Sequence, residues 1–146
     1  ADYDGTKAYG LVTYINSGNN GGFTNQWLPV FDEKQIIYIA GDNIGNSVFI
    51  NNRAGVAMAA VYRLKEILNI DSTRIYASGN SGGARTAMVL AYAYPEWFFG
   101  AFPNCGANYP RQVAQDYETQ QPNGHYEYTL PFTTADLNYI KSSNNI

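Results

Sequence analysis

The chain has little of several residue types, and each shortage narrows the class of protein. Its 146 residues include one cysteine, so no disulfide can form within the chain. Lysine and arginine number 9 against 12 acidic residues, and the net charge of −3 argues against nucleic acid or an anionic membrane as a partner. No stretch approaches the ~18 apolar residues that a membrane-spanning helix needs. Charged residues make up only 14% of the chain, and such a lightly charged surface favours an extracellular or periplasmic location.

Glycine is plentiful, and the most informative glycines lie in the pentapeptide Gly79-Asn80-Ser81-Gly82-Gly83. This G-x-S-x-G pattern is typical of a nucleophile elbow, a sharp strand-to-helix turn that presents a serine hydroxyl above a parallel sheet. The residues two before and two after the serine pack too closely for side chains, and Gly79 and Gly83 occupy these positions. Gly82 is expected to add backbone freedom where an N–H must face an oxyanion.

The residues on either side of the pentapeptide support this interpretation. Residues 74–78 form a strand candidate that follows a turn at residues 71–73. Residues 84–94 carry good helix formers, and Pro95 ends that helix because proline cannot continue the hydrogen-bond ladder. Strand, tight turn and helix are what the motif requires. The alternative is a Gly-Ser loop that matches the pattern by chance.

Strand and helix patterns alternate along the rest of the chain. Further strand candidates lie at residues 9–15, 35–40 and 100–104. Residues 52–68 have apolar residues at helical spacing, and the predicted inner face of this helix includes Val56, Ala60, Leu64, Ile67 and Leu68. Strands separated by helices imply right-handed crossovers and a parallel sheet that is buried on both faces.

The sequence therefore predicts one α/β domain over residues 1–146, with a three-layer arrangement of helices on both faces of a parallel sheet. Beyond Asn108 the chain becomes polar and irregular, and residues 109–146 are expected to be an insertion or lid-like segment.

The order of these elements resembles the α/β-hydrolase superfamily and, within it, the esterase and polyhydroxyalkanoate-depolymerase-like branch. The resemblance covers about residues 8 to 110, and its most specific parts are the elbow and the aromatic segment Tyr-Pro-Glu-Trp-Phe that begins at Tyr94. It implies hydrolysis of small or polymeric carboxylic esters through a Ser-His-acid triad. It also implies that no cofactor takes part, and the sequence has no Cys, His or carboxylate cluster with metal-ligand spacing.

The resemblance assigns a role to four residues. Ser81 is the expected nucleophile, and the Gly82 N–H is expected to supply one half of the oxyanion hole. Ser17 and Gly18, in the loop after the first strand, are the candidates for the other half. The alternative for residues 16–22 is a flexible surface loop.

The chain departs from the family in its missing triad partners. In this fold the order along the chain is serine, acid, histidine, and the sequence ends at Ile146, where the acid-bearing strand would begin. The expectation is a hydrolase domain truncated at both ends. Its acid and base would then lie outside this chain, on missing flanks or on a second chain, and its open sheet edges would favour self-association. The alternative is a non-catalytic domain that keeps the scaffold for binding or assembly.

The other titratable residues receive more ordinary interpretations. The single histidine, His125, lies in a polar stretch and is interpreted as a surface residue. None of the later acidic residues stands out as the orienting acid; these are Asp116, Glu118, Glu127 and Asp136. Cys105 is expected to be a small buried thiol, Arg85 to form a structural salt bridge, and Asp42 to shape its own loop.

Overall fold

A computed structural model describes residues 3–22, 25–106 and 133–142. The strands are β1 (Tyr9–Ile15), β2 (Ile36–Ala40), β3 (Ile70–Asn80) and β4 (Gly100–Asn104). The helices are α1 (Leu28–Lys34, after a 3-10 turn at Asn25–Trp27), α2 (Ile50–Ile67), α3 (Gly82–Ala93) and α4 (Thr134–Ser142). The predicted strands and the helix after the elbow are confirmed, with ends that differ by a few residues.

The four strands of the described residues form one parallel sheet in the order β2-β1-β3-β4. From β1 the chain passes through α1 to β2 at one edge, and from β3 it passes through α3 to β4 at the other. Right-handed crossovers therefore place α1 on one face and α2 and α3 on the opposite face, so the three-layer prediction is confirmed. The direction of winding reverses between β1 and β3, and ligands of open α/β sheets bind at such a point, beyond the carboxyl ends of the strands.

The hydrophobic core lies between the sheet and the pair α2 and α3. Alternate residues of β1 and β3 point into it, among them Leu11, Ile15 and Ile75, which are fully buried. Phe98, from the segment after α3, closes the core and is 1% exposed. Full burial of side chains of this size stabilises a fold by about 1.5–3 kcal/mol each.

The predicted inner face of α2 is partly wrong. Leu64 is half-buried as expected, but Val56 is 42% and Ile67 is 54% exposed. The buried residues of the helix are Ile50, Arg53, Ala57 and Val61. The predicted stripe lies beside the observed one, which includes the buried side chain of Arg53.

β3 is longer than predicted because the expected turn lies inside it. The pairing with β1 passes from Tyr9–Ile70 directly to Leu11–Ile75, so β3 carries extra residues between these two pairs. Within this irregular stretch the Asp71 carboxylate accepts hydrogen bonds from the Thr73 hydroxyl at 2.7 Å and the Thr73 N–H at 2.9 Å. These bonds hold the pKa of Asp71 below its usual value. The turn at residues 71–73 is therefore real, but it interrupts a strand and does not precede one.

The opposite face of the sheet is aromatic. Phe31 of α1 stacks on Tyr38 of β2, with ring centroids 6.0 Å apart. Further along the face, Tyr76 of β3 contacts Phe102 of β4, with ring centroids 5.2 Å apart, and Phe102 is 58% exposed. Phe99 meets the Tyr76 ring edge-on and is 52% exposed. The β4 half of this face is therefore an apolar surface in the described part of the chain.

Of residues 109–146 the structure describes only Thr133 and α4. The Thr133 hydroxyl accepts the Asp136 N–H at 3.2 Å, and the Asp136 carboxylate accepts the Thr133 N–H at 2.7 Å. This reciprocal pair is a capping box, and it fixes where α4 begins. Whether the segment as a whole is an insertion or a lid stays a prediction.

Candidate active site

Ser81 lies at the sharp turn between β3 and α3. Its backbone angles are φ 54° and ψ −117°, a conformation that residues with side chains rarely adopt. The Ser81 N–H donates to the Asn104 carbonyl at the end of β4 over 2.9 Å, and the Ser81 carbonyl accepts the Arg85 N–H at 3.2 Å. Such strain costs about 1–3 kcal/mol and persists only where the surroundings enforce it. Contacts with β4 and α3 supply that enforcement.

Gly79 and Gly83 allow the turn to pack against the end of β1. A Cβ on Gly79 would lie 2.6 Å from the Ile15 carbonyl oxygen and would overlap the backbone of Gly83. A Cβ on Gly83 would overlap the same Ile15 oxygen and would lie 3.2 Å from the Asn16 carbonyl carbon. The loop after β1 therefore begins in direct contact with the elbow, at the point where the winding of the sheet reverses.

Gly82 packs against a side chain that the sequence did not reveal as its neighbour. Among the described glycines only Gly5 has a positive φ, so the expected need for backbone freedom at Gly82 is wrong. A Cβ on Gly82 would instead overlap Oδ1 of Asn46 and would lie 2.9 Å from its Cγ. The Asn46 amide, from the loop between β2 and α2, thus fills the space beside the first residue of α3.

The loop of residues 16–22 is held in place by hydrogen bonds. The Gly18 N–H donates to the Asn16 side-chain oxygen at 3.3 Å, and the Ser17 carbonyl accepts the Asn46 N–H at 2.9 Å. The Asn16 amide in turn donates to the Asn20 carbonyl at 2.8 Å. Within the described residues the Ser17 N–H has no acceptor. These contacts favour an ordered loop over the flexible alternative.

The far end of this loop is tied to β2. The Asp42 carboxylate accepts the Gly21 N–H at 2.6 Å, so Asp42 holds the loop after β1, whereas the sequence analysis expected it to shape its own loop after β2. The Tyr38 hydroxyl donates to the carbonyls of Gly21 and Gly22 at 3.1 Å and 3.3 Å. Burial raises the pKa of Tyr38, with a smaller contribution from Tyr14 beside it.

Arg53 connects the two loops beside the elbow, and the sequence analysis missed it. It is 4% exposed; its Nε donates to the Ile44 carbonyl at 2.9 Å and its Nη2 to the Asn16 carbonyl at 2.8 Å. One feature of the sequence could have indicated that Arg53 is buried. It lies three residues after Ile50 and four before Ala57, and this spacing places it on the same face of α2 as these two buried residues.

Within the described residues, none of the remaining candidates has a side-chain hydrogen bond to Ser81. Cys105 is exposed, so the prediction of a buried thiol is wrong; it directly follows β4 and has φ 56°. Arg85 forms no ion pair with any described residue, and Asp136 caps α4. His125, Asp116, Glu118 and Glu127 lie outside the described residues.

The described residues contain neither a cluster that could hold a metal ion nor a membrane-spanning helix. No three or more His, Cys, Asp and Glu side chains there come together as a group that could hold a metal ion. Likewise, none of the helices in those ranges has the length and hydropathy to span a bilayer. A cavity of about 200 Å³ lies between β1, β2 and α2; residues that line it include Tyr14, Ile44 and Val56, and no predicted site residue does.

The chain is similar to proteins of known class. No family model matches it. Over 103 residues it is 29% identical to poly(3-hydroxyalkanoate) depolymerase C of Paucimonas lemoignei. The matched region covers 70% of this chain and 22% of that protein. The fold is similar to a thermostable esterase, with TM-score 0.58, 21% identity, and coverage of 73% of this chain and 35% of the esterase. A structure assigned as a dipeptidyl aminopeptidase IV from Bacteroides ovatus gives TM-score 0.53 at 25% identity, over 66% of this chain and 16% of the other.

The parallel sheet, the elbow and these similarities define the class together. The chain has an α/β-hydrolase fold, and it is related to the esterase-like proteins of that superfamily. The prediction from the sequence is confirmed at this level. The chain spans 22% of the length of the depolymerase and 35% of that of the esterase.

Proposed function

We propose that this chain carries the nucleophile of a serine hydrolase that cleaves carboxylic esters through an acyl-enzyme on Ser81. The observation that supports this most directly is the Ser81 backbone, with φ 54° in a turn enforced by Ile15, Gly83 and Asn104. Strained residues of this kind cluster at active sites, and the geometry is the one that exposes a serine hydroxyl at a nucleophile elbow. The relationship to a polyester depolymerase supports esters as the substrate class.

The reaction would proceed in two steps. The Ser81 oxygen attacks the ester carbonyl carbon while a base takes its proton, and the oxyanion of the tetrahedral adduct is held by N–H groups. The adduct collapses, the base returns the proton to the leaving alcohol, and an acyl-serine remains. Water, deprotonated by the same base, then releases the acid and restores Ser81. Each well-placed N–H contributes about 3–4 kcal/mol to lowering the barrier.

The oxyanion donors would come from Gly82 and from the loop after β1. The Gly82 N–H lies at the first residue of α3, where helix geometry leaves it without an intrahelical acceptor and the helix dipole is positive. Of the two loop candidates, Ser17 is favoured over Gly18, because the Gly18 N–H already donates to the Asn16 side chain at 3.3 Å.

The base and the orienting acid would lie outside this chain, on flanking sequence or on a second chain. The described residues contain no histidine, and their Asp42 and Asp136 carboxylates are engaged in loop and cap contacts. The intact mass of the native protein tests this: a mass well above 16.2 kDa supports it. A native mass of 16.2 kDa without a co-purifying partner would instead favour the alternative, a non-catalytic domain for binding or assembly.

The decisive experiment is covalent labelling of the native full-length protein with a fluorophosphonate, followed by peptide mapping. We expect the label on Ser81, and we expect Ser81→Ala to lose both labelling and ester hydrolysis by at least about a thousandfold. Ser78→Ala is the matched control, because the Ser78 hydroxyl donates to the Phe102 carbonyl at 2.9 Å on the aromatic face. Unchanged hydrolysis in Ser81→Ala would contradict the proposal.

A further inference from the structure

We propose that Arg53 is a positioning residue for the oxyanion hole, because its guanidinium fixes the direction of the Ser17 N–H. The inference rests on the proposed function and extends it to a side chain that does not touch the substrate. Arg53 is 4% exposed, although arginine is almost never fully buried unless it is paired. Two of its hydrogen bonds go to backbone carbonyls in two different loops, those of Ile44 and Asn16.

The link to catalysis runs through a single peptide bond. The Asn16 carbonyl and the Ser17 N–H belong to the same peptide unit, which is planar, and the described chain has no cis peptide bond. In a trans peptide the C=O and the N–H point in opposite directions. Because Arg53 Nη2 holds the Asn16 oxygen at 2.8 Å, the Ser17 N–H must point away from Arg53.

The next peptide unit is also fixed, which leaves the Ser17 N–H as the donor available for a ligand. This unit consists of the Ser17 carbonyl and the Gly18 N–H. The Ser17 carbonyl accepts the Asn46 N–H at 2.9 Å, and the Gly18 N–H donates to the Asn16 side-chain oxygen at 3.3 Å. A flip of the peptide before Ser17, or of the peptide after it, would therefore break hydrogen bonds. The start of this loop lies against Gly83, two residues beyond Ser81.

The charge of Arg53 adds to the effect of its geometry. A hydrogen bond from a guanidinium to a carbonyl is stronger than one between neutral groups, and it polarises the peptide. Polarisation makes the N–H at the other end of the same peptide a better donor. A planar guanidinium can bridge the Ile44 and Asn16 carbonyls with donors in a fixed fork, which a lysine ammonium cannot reproduce.

The test uses the native full-length protein and three variants, Arg53→Met, Arg53→Lys and the control Arg63→Met. Arg63 lies on the same helix, is exposed and pairs with Glu66 at 2.9 Å. Active sites are titrated with the fluorophosphonate, and kcat and KM for a nitrophenyl ester are then measured per titrated site. Inhibition by a trifluoromethyl ketone, which forms a reversible tetrahedral adduct with serine, reports on the oxyanion hole.

For Arg53→Met we expect kcat per site to fall about 10- to 100-fold and the ketone to bind more weakly by a similar factor, with KM changed by less than about twofold. Arg53→Lys should recover part of the loss, and Arg63→Met should behave as the wild type. A purely structural role would lower the fraction of titratable sites and the melting temperature, and it would leave kcat per site and ketone binding unchanged.

The outcomes are separable from those of the proposed function. Absence of Ser81 labelling in the wild type would overturn the proposed function and this inference with it. Labelling with wild-type kcat per site in Arg53→Met would overturn the inference alone. If Arg53→Met does not fold, Arg53→Lys decides, because wild-type kcat and ketone affinity in that variant would show that the guanidinium fork is not needed.

Discussion

Gly82 and Asn46 illustrate how one position in the site depends on another that is distant in sequence. Oδ1 of Asn46 occupies the space that a side chain on Gly82 would need. Asn46 comes from the loop after β2, and no local pattern relates it to the elbow. At the residue scale, the identity of Gly82 is therefore set by packing between two segments and not by a backbone requirement of the motif.

This packing predicts a suppressor pair. We expect Gly82→Ala to lower the free energy of unfolding by about 1–3 kcal/mol, because its methyl group must displace the Asn46 amide. Adding Asn46→Gly should restore most of the loss, as measured by denaturant unfolding of both single variants and the double variant. Gly55→Ala is the control: a methyl group added at this exposed position of α2 would have no neighbouring atom within 4 Å, so alanine should stabilise the helix by up to about 1 kcal/mol. Equal losses in Gly82→Ala with and without Asn46→Gly would contradict this account.

At this scale the sequence predicted the residues whose roles follow from a local motif. Gly79 and Gly83 were expected to be tightly packed because the elbow requires it, and the structure shows which atoms they meet. The contacts of Arg53 could not be predicted from a local motif, because its partner Asn16 lies 37 residues away. A hydrophobicity pattern also counts arginine as solvent-facing. The catalytic role of Ser81 stays a prediction.

Among the elements, β2 carries a hydroxyl that supports the loop after β1. Tyr38 donates to Gly21 and Gly22, and burial raises its pKa above the usual 10.0. The folded state therefore favours the neutral phenol of Tyr38. The stability that the neutral phenol contributes is complete below pH 10, and it is lost as the pH rises through the raised pKa of the folded state.

We therefore expect wild-type stability to fall more steeply above pH 10 than that of Tyr38→Phe, which has no phenol to ionise. Denaturant unfolding of both proteins at pH 8 and at pH 11 measures the difference. Tyr62→Phe, at a position on α2 that is 55% exposed, is the control and should follow the wild type. Parallel pH curves for the wild type and Tyr38→Phe would argue against the buried phenol as the cause.

The segment after α3 gives a second prediction at the element scale. Phe98 is 1% exposed in the core, while its neighbour Phe99 is 52% exposed on the aromatic face. We expect Phe98→Ala to cost about 3–5 kcal/mol of unfolding free energy. Phe99→Ala should cost less than about 1.5 kcal/mol, the range of its edge-on contact with Tyr76. Similar losses in the two variants, measured by denaturant unfolding, would mean that the core boundary is misplaced.

Elements were predicted well where period and punctuation agreed, and less well where a polar group was buried or a strand was irregular. β1, β2 and β4 are continuous strands bounded by turn residues, and they appear nearly as expected. β3 was predicted too short because Asp71 and Thr73 signal a turn, which here is a bulge within the strand. The face of α2 was misassigned to a neighbouring stripe; the observed stripe includes Arg53, which a search for apolar residues does not select.

For the whole molecule, the described sheet has two edges, β2 and β4, and an apolar surface beside β4. Unpaired strand edges and exposed aromatic patches favour association. We expect the 146-residue chain, produced alone, to sediment as species heavier than the 16.2 kDa monomer at micromolar concentration.

Phe102→Ser should shift that distribution toward the monomer, because Phe102 is 58% exposed on this surface. Phe49→Ser, at a position that is 55% exposed before α2, should leave the distribution unchanged. Sedimentation velocity over a range of concentrations makes the comparison. A monomeric wild-type chain throughout that range would contradict the prediction.

The overall architecture was the most predictable level, since alternation of strands and helices leaves few topologies once crossovers are right-handed. The strand order β2-β1-β3-β4 and the reversal between β1 and β3 were not predicted, because right-handed crossovers are compatible with more than one strand order. What the order of elements does not contain is how loops meet at the switch point, and there the contacts of Arg53 and Asn46 decide the geometry.

The hydrogen bond from the Ser81 N–H to Asn104 also bears on the order of events in folding. The strained turn is held by β1 on one side and by β4 on the other, and β4 is made only after α3 has been completed along the chain. A chain that has not yet docked all three strands has nothing to hold Ser81 at positive φ, and its backbone would relax. If Ser81 is the nucleophile, as proposed, its reactivity toward a covalent probe would appear only after β4 has docked. The rate of labelling during refolding would then report when the sheet is complete.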